Sequence, residues 1–184
     1  HEIISQVLIA QNYLKEINKR ITNVVFMGMG EPLLNENPVY DACELLLDDW
    51  AFGLSRRKVT ISSSGIVPAL IRMSDKVPVS LAISLHAPDD ELRDLLVPIN
   101  QKYPIKELMK ACHYYLNAGK QERHVMFEYV MLDGVNDSVK HAHALSKLLN
   151  FWFQSEAAKV NLIPFNPFPE SKYKTSKEST IDKF

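Results

Sequence analysis

The chain has 184 residues, 46% hydrophobic and 23% charged, the composition of an ordinary globular domain with room for a sizeable core. Its 21 Lys plus Arg against 22 Asp plus Glu leave a formal net charge of −1, which excludes a global basic field and confines any RNA contact to a local patch. No apolar stretch approaches the roughly 20 residues of a membrane span and no signal peptide is visible, so no membrane is implied and the cytoplasm is the default setting.

The pattern alternates helix and strand. Glu2 to Asn18 places Ile3, Ile4, Val7, Leu8, Leu14 and Ile17 on one stripe, the periodicity of an amphipathic helix. Val24 to Met27 is a short apolar run, expected to be a strand buried on both faces, and it stops at the loop of NVVFMGMGEPLLN, Asn23 to Asn35. Gly28 and Gly30 lack a Cβ, so a bound molecule can approach the main chain there. Pro32 keeps Glu31 out of the helical region, which leaves one carboxylate on a stiff loop. Glu31 then reads either as a fixed acid for an ammonium group or as the exposed end of a plain strand-to-helix turn.

Val39 to Trp50 reads as a helix with Cys43, Leu46 and Leu47 inward, broken at Ala51 to Leu54. The basic triplet Arg56-Arg57-Lys58, read as a solvated edge, leads into the strand Val59 to Ile61, which ends in Ser62-Ser63-Ser64-Gly65 before a helix with Pro68 in its first turn. Ser64 is the expected N-cap, and the same free N–H groups would also suit a carboxylate or phosphate. Val79 to His86 is the third strand, with Ser84 and His86 alternating to one side and Leu85 to the other; a histidine at such a strand end is either structural or part of a site. Asp89 to Leu96 and the segment after Pro104 are helices, the second with Gly119 as its expected C-cap.

His124 to Leu132 is the fourth strand, buried except at Glu128, and Asn136 or Asp137 is expected to cap the helix Ser138 to Leu149. His141 and His143 point to different faces of it and make a poor metal pair. Lys159 to Pro164 is the fifth strand, followed by the rigid exit Phe165-Asn166-Pro167-Phe168-Pro169. Residues 170–184 are polar and expected to be a mobile loop. Cys43 and Cys112, the two cysteines, sit in helical stripes without CxxC or CxxH spacing and show no disulfide framework or metal knuckle.

Repeated strand-helix units imply an α/β domain with a parallel sheet, either open and doubly wound or a (β/α) barrel. The barrel accounts for polar groups at four strand ends: Gly30 with Glu31, Ser62, Ser84 with His86, and Asn166.

The blocks FMGMGEPLLN (Phe26 to Asn35), VTISSSGIVPAL (Val59 to Leu70), LAISLHAPDDELRDLLVPIN (Leu81 to Asn100), EYVMLDGVND (Glu128 to Asp137) and KVNLIPFNPFP (Lys159 to Pro169), in this order, resemble the radical S-adenosylmethionine (SAM) enzymes, within them the bacterial RNA adenine-C2 methyltransferases. The resemblance implies a TIM-like partial barrel that lacks its first strand and cluster loop. It implies methylation of an adenine in 23S rRNA and tRNA through a methyl-cysteine intermediate, with SAM and a 4Fe–4S cluster as cofactors and a reductant such as flavodoxin as partner. Gly30 and Glu31 would hold the methionine amino group, Ser62 the ribose or carboxylate end, Ser84 with Leu85 and His86 the neighbouring face, and Asn166 the nucleoside. The family's CxxxCxxC loop and methyl-carrying cysteine have no counterpart here, so no residue of this chain is expected to be catalytic or to bind metal, and the chain alone is expected to be inactive. It starts at His1 without a Met and ends at Phe184 without a helix stop, as part of a longer protein would. The alternatives are the C8-methylating resistance paralogue and a non-catalytic nucleotide-binding module.

Overall fold

A computed structural model describes residues 1–118, 123–153 and 157–184. In chain order the elements are α1 (Glu2–Glu16), β1 (Val24–Phe26), α2 (Glu36–Leu47), β2 (Val59–Ser63), α3 (Val67–Lys76), β3 (Ser80–Ser84), α4 (Asp90–Leu96), α5 (Ile105–Asn117), β4 (Val125–Met131), α6 (Val139–Trp152), β5 (Ala158–Pro164) and α7 (Glu178–Ile181). The five strands are parallel and ordered β1-β2-β3-β4-β5, each hydrogen-bonded to its neighbour in sequence. A doubly wound sheet reverses its strand order at a switch point. This one never does, so the fold is an α/β partial barrel.

Alternation along the strands sends Ile61, Leu81, Ile83, Phe127 and Tyr129 into one core cluster with Cys43 and Leu46 of α2, Leu70 and Met73 of α3, and Leu108 and Cys112 of α5. The other sheet face is the barrel's inner side. There the expectation of a doubly buried first strand fails: Val25 is 47% exposed and Met27 46%, and both line an open cleft. Glu128 departs the other way and is buried, since the register sets it between Ser84 of β3 and Asn161 of β5, whose Nδ2 donates to its Oε2 at 2.7 Å.

Three further expectations are corrected. Ser64 does not cap α3, whose N-cap is Ile66; two residues separate Ser64 from the helix, and its hydroxyl is taken by Glu31. Helix α6 is capped by Ser138 in a capping box with His141, because Asn136 is withdrawn into the core, where it accepts from Leu132 N and donates to the Val130 and His86 carbonyls. The tail is docked rather than free: Thr175 bridges Leu132, the buried Ser176 donates to Asp137 Oδ2 at 2.8 Å, and Phe184 lies 5.2 Å from the Tyr129 ring. Gly119, the expected C-cap of α5, lies outside the described residues.

Candidate functional site

The parallel order gathers every strand's C-terminal end on one rim, and the cleft on that rim starts from Glu31. Pro32 opens a short 3₁₀ turn, and Glu31, extended at φ −126° and ψ 108°, caps it by accepting from Leu33 N at 3.0 Å. The other carboxylate oxygen accepts from both Ser64 N and Ser64 Oγ at 2.7 Å. One side chain thus ties the loop after β1 to the loop after β2. Gly28 at φ +113° and Gly30 at φ +90° take backbone conformations that an L side chain rarely adopts, and a Cβ at either would meet nothing within 4 Å, so the peptide groups there lie open.

Gly30, Glu31, Ser62 and Ser84 line a single cleft of about 520 Å³, closed on one side by Gln6 and Val7 of α1. Four expected site residues are therefore brought together. Leu85 is not one of them: its side chain is fully buried in the core, and only its backbone reaches the rim. His86 lies two residues past the end of β3, at φ +59°, and is not among the residues that line the cleft. Strand alternation therefore does not extend to it. Its N–H donates to the Glu128 carbonyl, its Nδ1 accepts from Val130 N at 3.1 Å, and its carbonyl accepts from Asn136 Nδ2 at 2.9 Å. Burial, helped by the Arg93 charge, pushes its pKa down to about 4. With Nδ1 an acceptor, the neutral ring carries its proton on Nε2. Asn166 is exposed beyond β5, at the opposite edge of the sheet from Glu31.

A buried arginine was missed. Arg93 of α4 donates from Nε to the Leu85 carbonyl (3.1 Å), from Nη2 to the carbonyls of Ser64 (2.8 Å) and Ser84 (3.0 Å), and from Nη1 to Asn100 Oδ1 (2.8 Å). Burial lowers its pKa to about 10, with Asp90 the main opposing influence, so it remains a cation at neutral pH. The available signal was its place four residues before Val97, on the inward stripe of a short helix.

Arg56, Arg57 and Lys58 form a 3₁₀ turn ahead of β2, at the end of the sheet opposite the cleft. Cys43 and Cys112 are fully buried, and burial pushes both thiols up to about 12. Thiolates are what bind iron. These two do not fit a cluster, and among the described residues no group of three or more His, Cys, Asp or Glu could hold a metal ion. Nor is any helix among those residues long and apolar enough to cross a membrane. Chemically the cleft offers a fixed carboxylate, serine hydroxyls and open peptide groups, a set suited to a small ligand with a cationic end.

The family model for the Radical SAM superfamily matches residues 6–145. Proteins named dual-specificity RNA methyltransferase RlmN from Vesicomyosocius okutanii subsp. Calyptogena okutanii and from Ruthia magnifica subsp. Calyptogena magnifica are each 67% identical over 183 residues, covering 100% of this chain and 50% of theirs. The chain thus spans about half the length of the curated relatives it matches. Among solved structures, a radical SAM methyltransferase from Sphaerobacter thermophilus matches with a TM-score of 0.90 at 39% identity, covering 99% of this chain and 52% of that one.

Proposed function

The chain belongs to the radical SAM superfamily, and from that premise we propose that it is the SAM-holding barrel portion of an RNA methyltransferase that modifies C2 of an adenine in 23S rRNA and tRNA. The observation that carries this reading is the single cleft shared by the ends of β1, β2 and β3, with one locked carboxylate among open peptide groups. Bound SAM would supply the transferable methyl group and the one-electron chemistry of the superfamily. Glu31 has about four lone-pair directions, of which Leu33 N, Ser64 N and Ser64 Oγ use three. One is left to accept from the methionine ammonium. Gly30 lets that end approach the main chain, and Ser62 offers a hydroxyl to the ribose or carboxylate end. Ser84 and His86 would hold the next stretch of the ligand, Leu85 would contribute through its backbone, and Asn166 would hold the nucleoside.

Because Cys43 and Cys112 do not fit a 4Fe–4S cluster, its ligands belong outside this chain and no step is assigned to residues here. The setting that goes with this reading is the cytoplasm, with rRNA, tRNA and a reductant such as flavodoxin as partners. The test uses a full-length protein carrying this sequence, incubated with SAM, a reducing system and either RNA, followed by nucleoside digestion and mass spectrometry. 2-Methyladenosine is the expected product. 8-Methyladenosine would assign the resistance-type reaction instead, and SAM binding without any methylated base would favour the non-catalytic module.

A further inference from the structure

Arg93 is fully buried on α4, yet its four hydrogen-bond acceptors are three backbone carbonyls and one amide, none of them a carboxylate. A buried cation is tolerated only where hydrogen bonds replace its water. Here those bonds go to loops that form the cleft: Ser64 and Ser84 line it, and Leu85 follows directly. Ser64 is at the same time held by Glu31 through its N–H and its hydroxyl. The chain of contacts Glu31, Ser64, Arg93, Ser84 therefore joins the ends of β1, β2 and β3. Packing leaves little slack in it, since a Cβ on Gly65, at φ +108°, would come within 3.1 Å of Leu108 Cδ1 and 3.6 Å of Arg93 Nη2. Behind the guanidinium, the buried Asn100 turns its oxygen to Arg93 because its amide nitrogen is committed to Asp90 Oδ1 at 2.9 Å and Asp94 Oδ1 at 2.6 Å.

We infer that Arg93, oriented by Asn100, is a positioning residue for the cleft, fixing the β2 and β3 loops relative to Glu31 so that the two ends of the ligand meet their partners simultaneously. The inference rests on the SAM reading of the cleft and names what holds that site in shape. A planar fork can grip carbonyls from two loops at once, whereas a lysine ammonium on its single stem cannot reproduce that geometry. Arg93→Lys therefore keeps the charge and loses the coupling.

In a full-length protein, SAM dissociation constants and melting temperatures are measured for Arg93→Lys, Asn100→Ala and a comparator, Tyr115→Phe, which deletes a buried hydrogen bond of 2.7 Å to the Val79 carbonyl at the opposite end of β3. Expected is a loss of SAM affinity of about tenfold or more for both cleft variants, against a change within about twofold for the comparator, all measured well below the melting temperatures. Cleft variants that bind SAM as tightly as the comparator would overturn the inference. Should Arg93→Lys fail to fold, Asn100→Ala decides alone, because it leaves the cation in place. A second readout needs no ligand: amide exchange at Ser64 in the SAM-free protein rises in both cleft variants if the coupling is real, and stays at the wild-type rate if it is not. Wild-type protein that binds no SAM, with Ser64 protection still lost in the variants, would sink the SAM reading and leave the positioning role standing.

Discussion

Glu31 carries two tasks on one carboxylate, joining two loops and presenting charge to the cleft. Glu31→Gln keeps one acceptor oxygen but turns an NH₂ toward N–H and O–H donors, so the lock loosens while the charge disappears. Loss of a hydrogen bond to a charged group is worth about 1.5–3 kcal/mol, which corresponds to roughly a ten- to hundredfold weaker SAM complex in the full-length protein. Calorimetric titration measures it, and an unchanged dissociation constant rejects the assignment. His86 makes a prediction about acid. Its folded-state pKa of about 4 lies below the roughly 6.5 of an unfolded histidine, so between these values the unfolded chain binds the proton and the folded chain does not. The resulting stabilisation, on the order of 3 kcal/mol, is complete above about pH 6.5 and is lost as pH falls toward 4. His86→Gln should flatten this limb of a melting-temperature profile against pH; superimposable profiles for variant and wild type would show that another group titrates. The variant also has to hold the Val130 N–H, so a loss of stability at neutral pH accompanies the flattening.

At the scale of elements, the docked tail offers the sharpest test. Ser176→Ala takes a donor from the buried Asp137 carboxylate and should cost about 1–3 kcal/mol in urea unfolding. An unchanged midpoint would mean that the tail contributes nothing to the fold. That segment also marks the limit of what the sequence discloses. The strands and the helices through α6 were legible to within a few residues because period-2 and period-3.6 patterns are local, and the extended backbone at Glu31 was legible because Pro32 adjoins it, whereas the four-residue α7 was not read. The missed features are bonds across long separations: Ser176 to Asp137 over 39 residues, Asn136 to the His86 carbonyl over 50, Arg93 to the Ser64 carbonyl over 29. No local pattern encodes such partners. A polar tail hides its anchors among Lys and Thr, and an asparagine beside a helix start reads as a cap whether it caps or turns inward. The burial of Glu128 was missed likewise, because it depends on which residues flank it on β3 and β5.

For the molecule as a whole, unbroken strand order has one mechanical consequence: every strand delivers its polar end to the same rim, while the helices keep their thiols in the layer outside the sheet. Cys43 on α2 and Cys112 on α5 belong to one core cluster together with the strands between them. Each is fully buried, and each thiol is held far from ionisation at neutral pH. Neither place nor protonation state suits a metal ligand. Anaerobic iron–sulfide reconstitution of the 184-residue chain should therefore give no stoichiometric cluster absorbance, and a disulfide reagent such as Ellman's should find essentially no reactive thiol until denaturant is added. Because both cysteines share one core, they should become reactive in a single transition whose midpoint matches that of the backbone signal. If Cys43 reacted at lower denaturant than Cys112, α2 would be opening ahead of the β2–β4 layer, and the cleft, whose Glu31 loop leads directly into α2, would be the first part of the molecule to loosen.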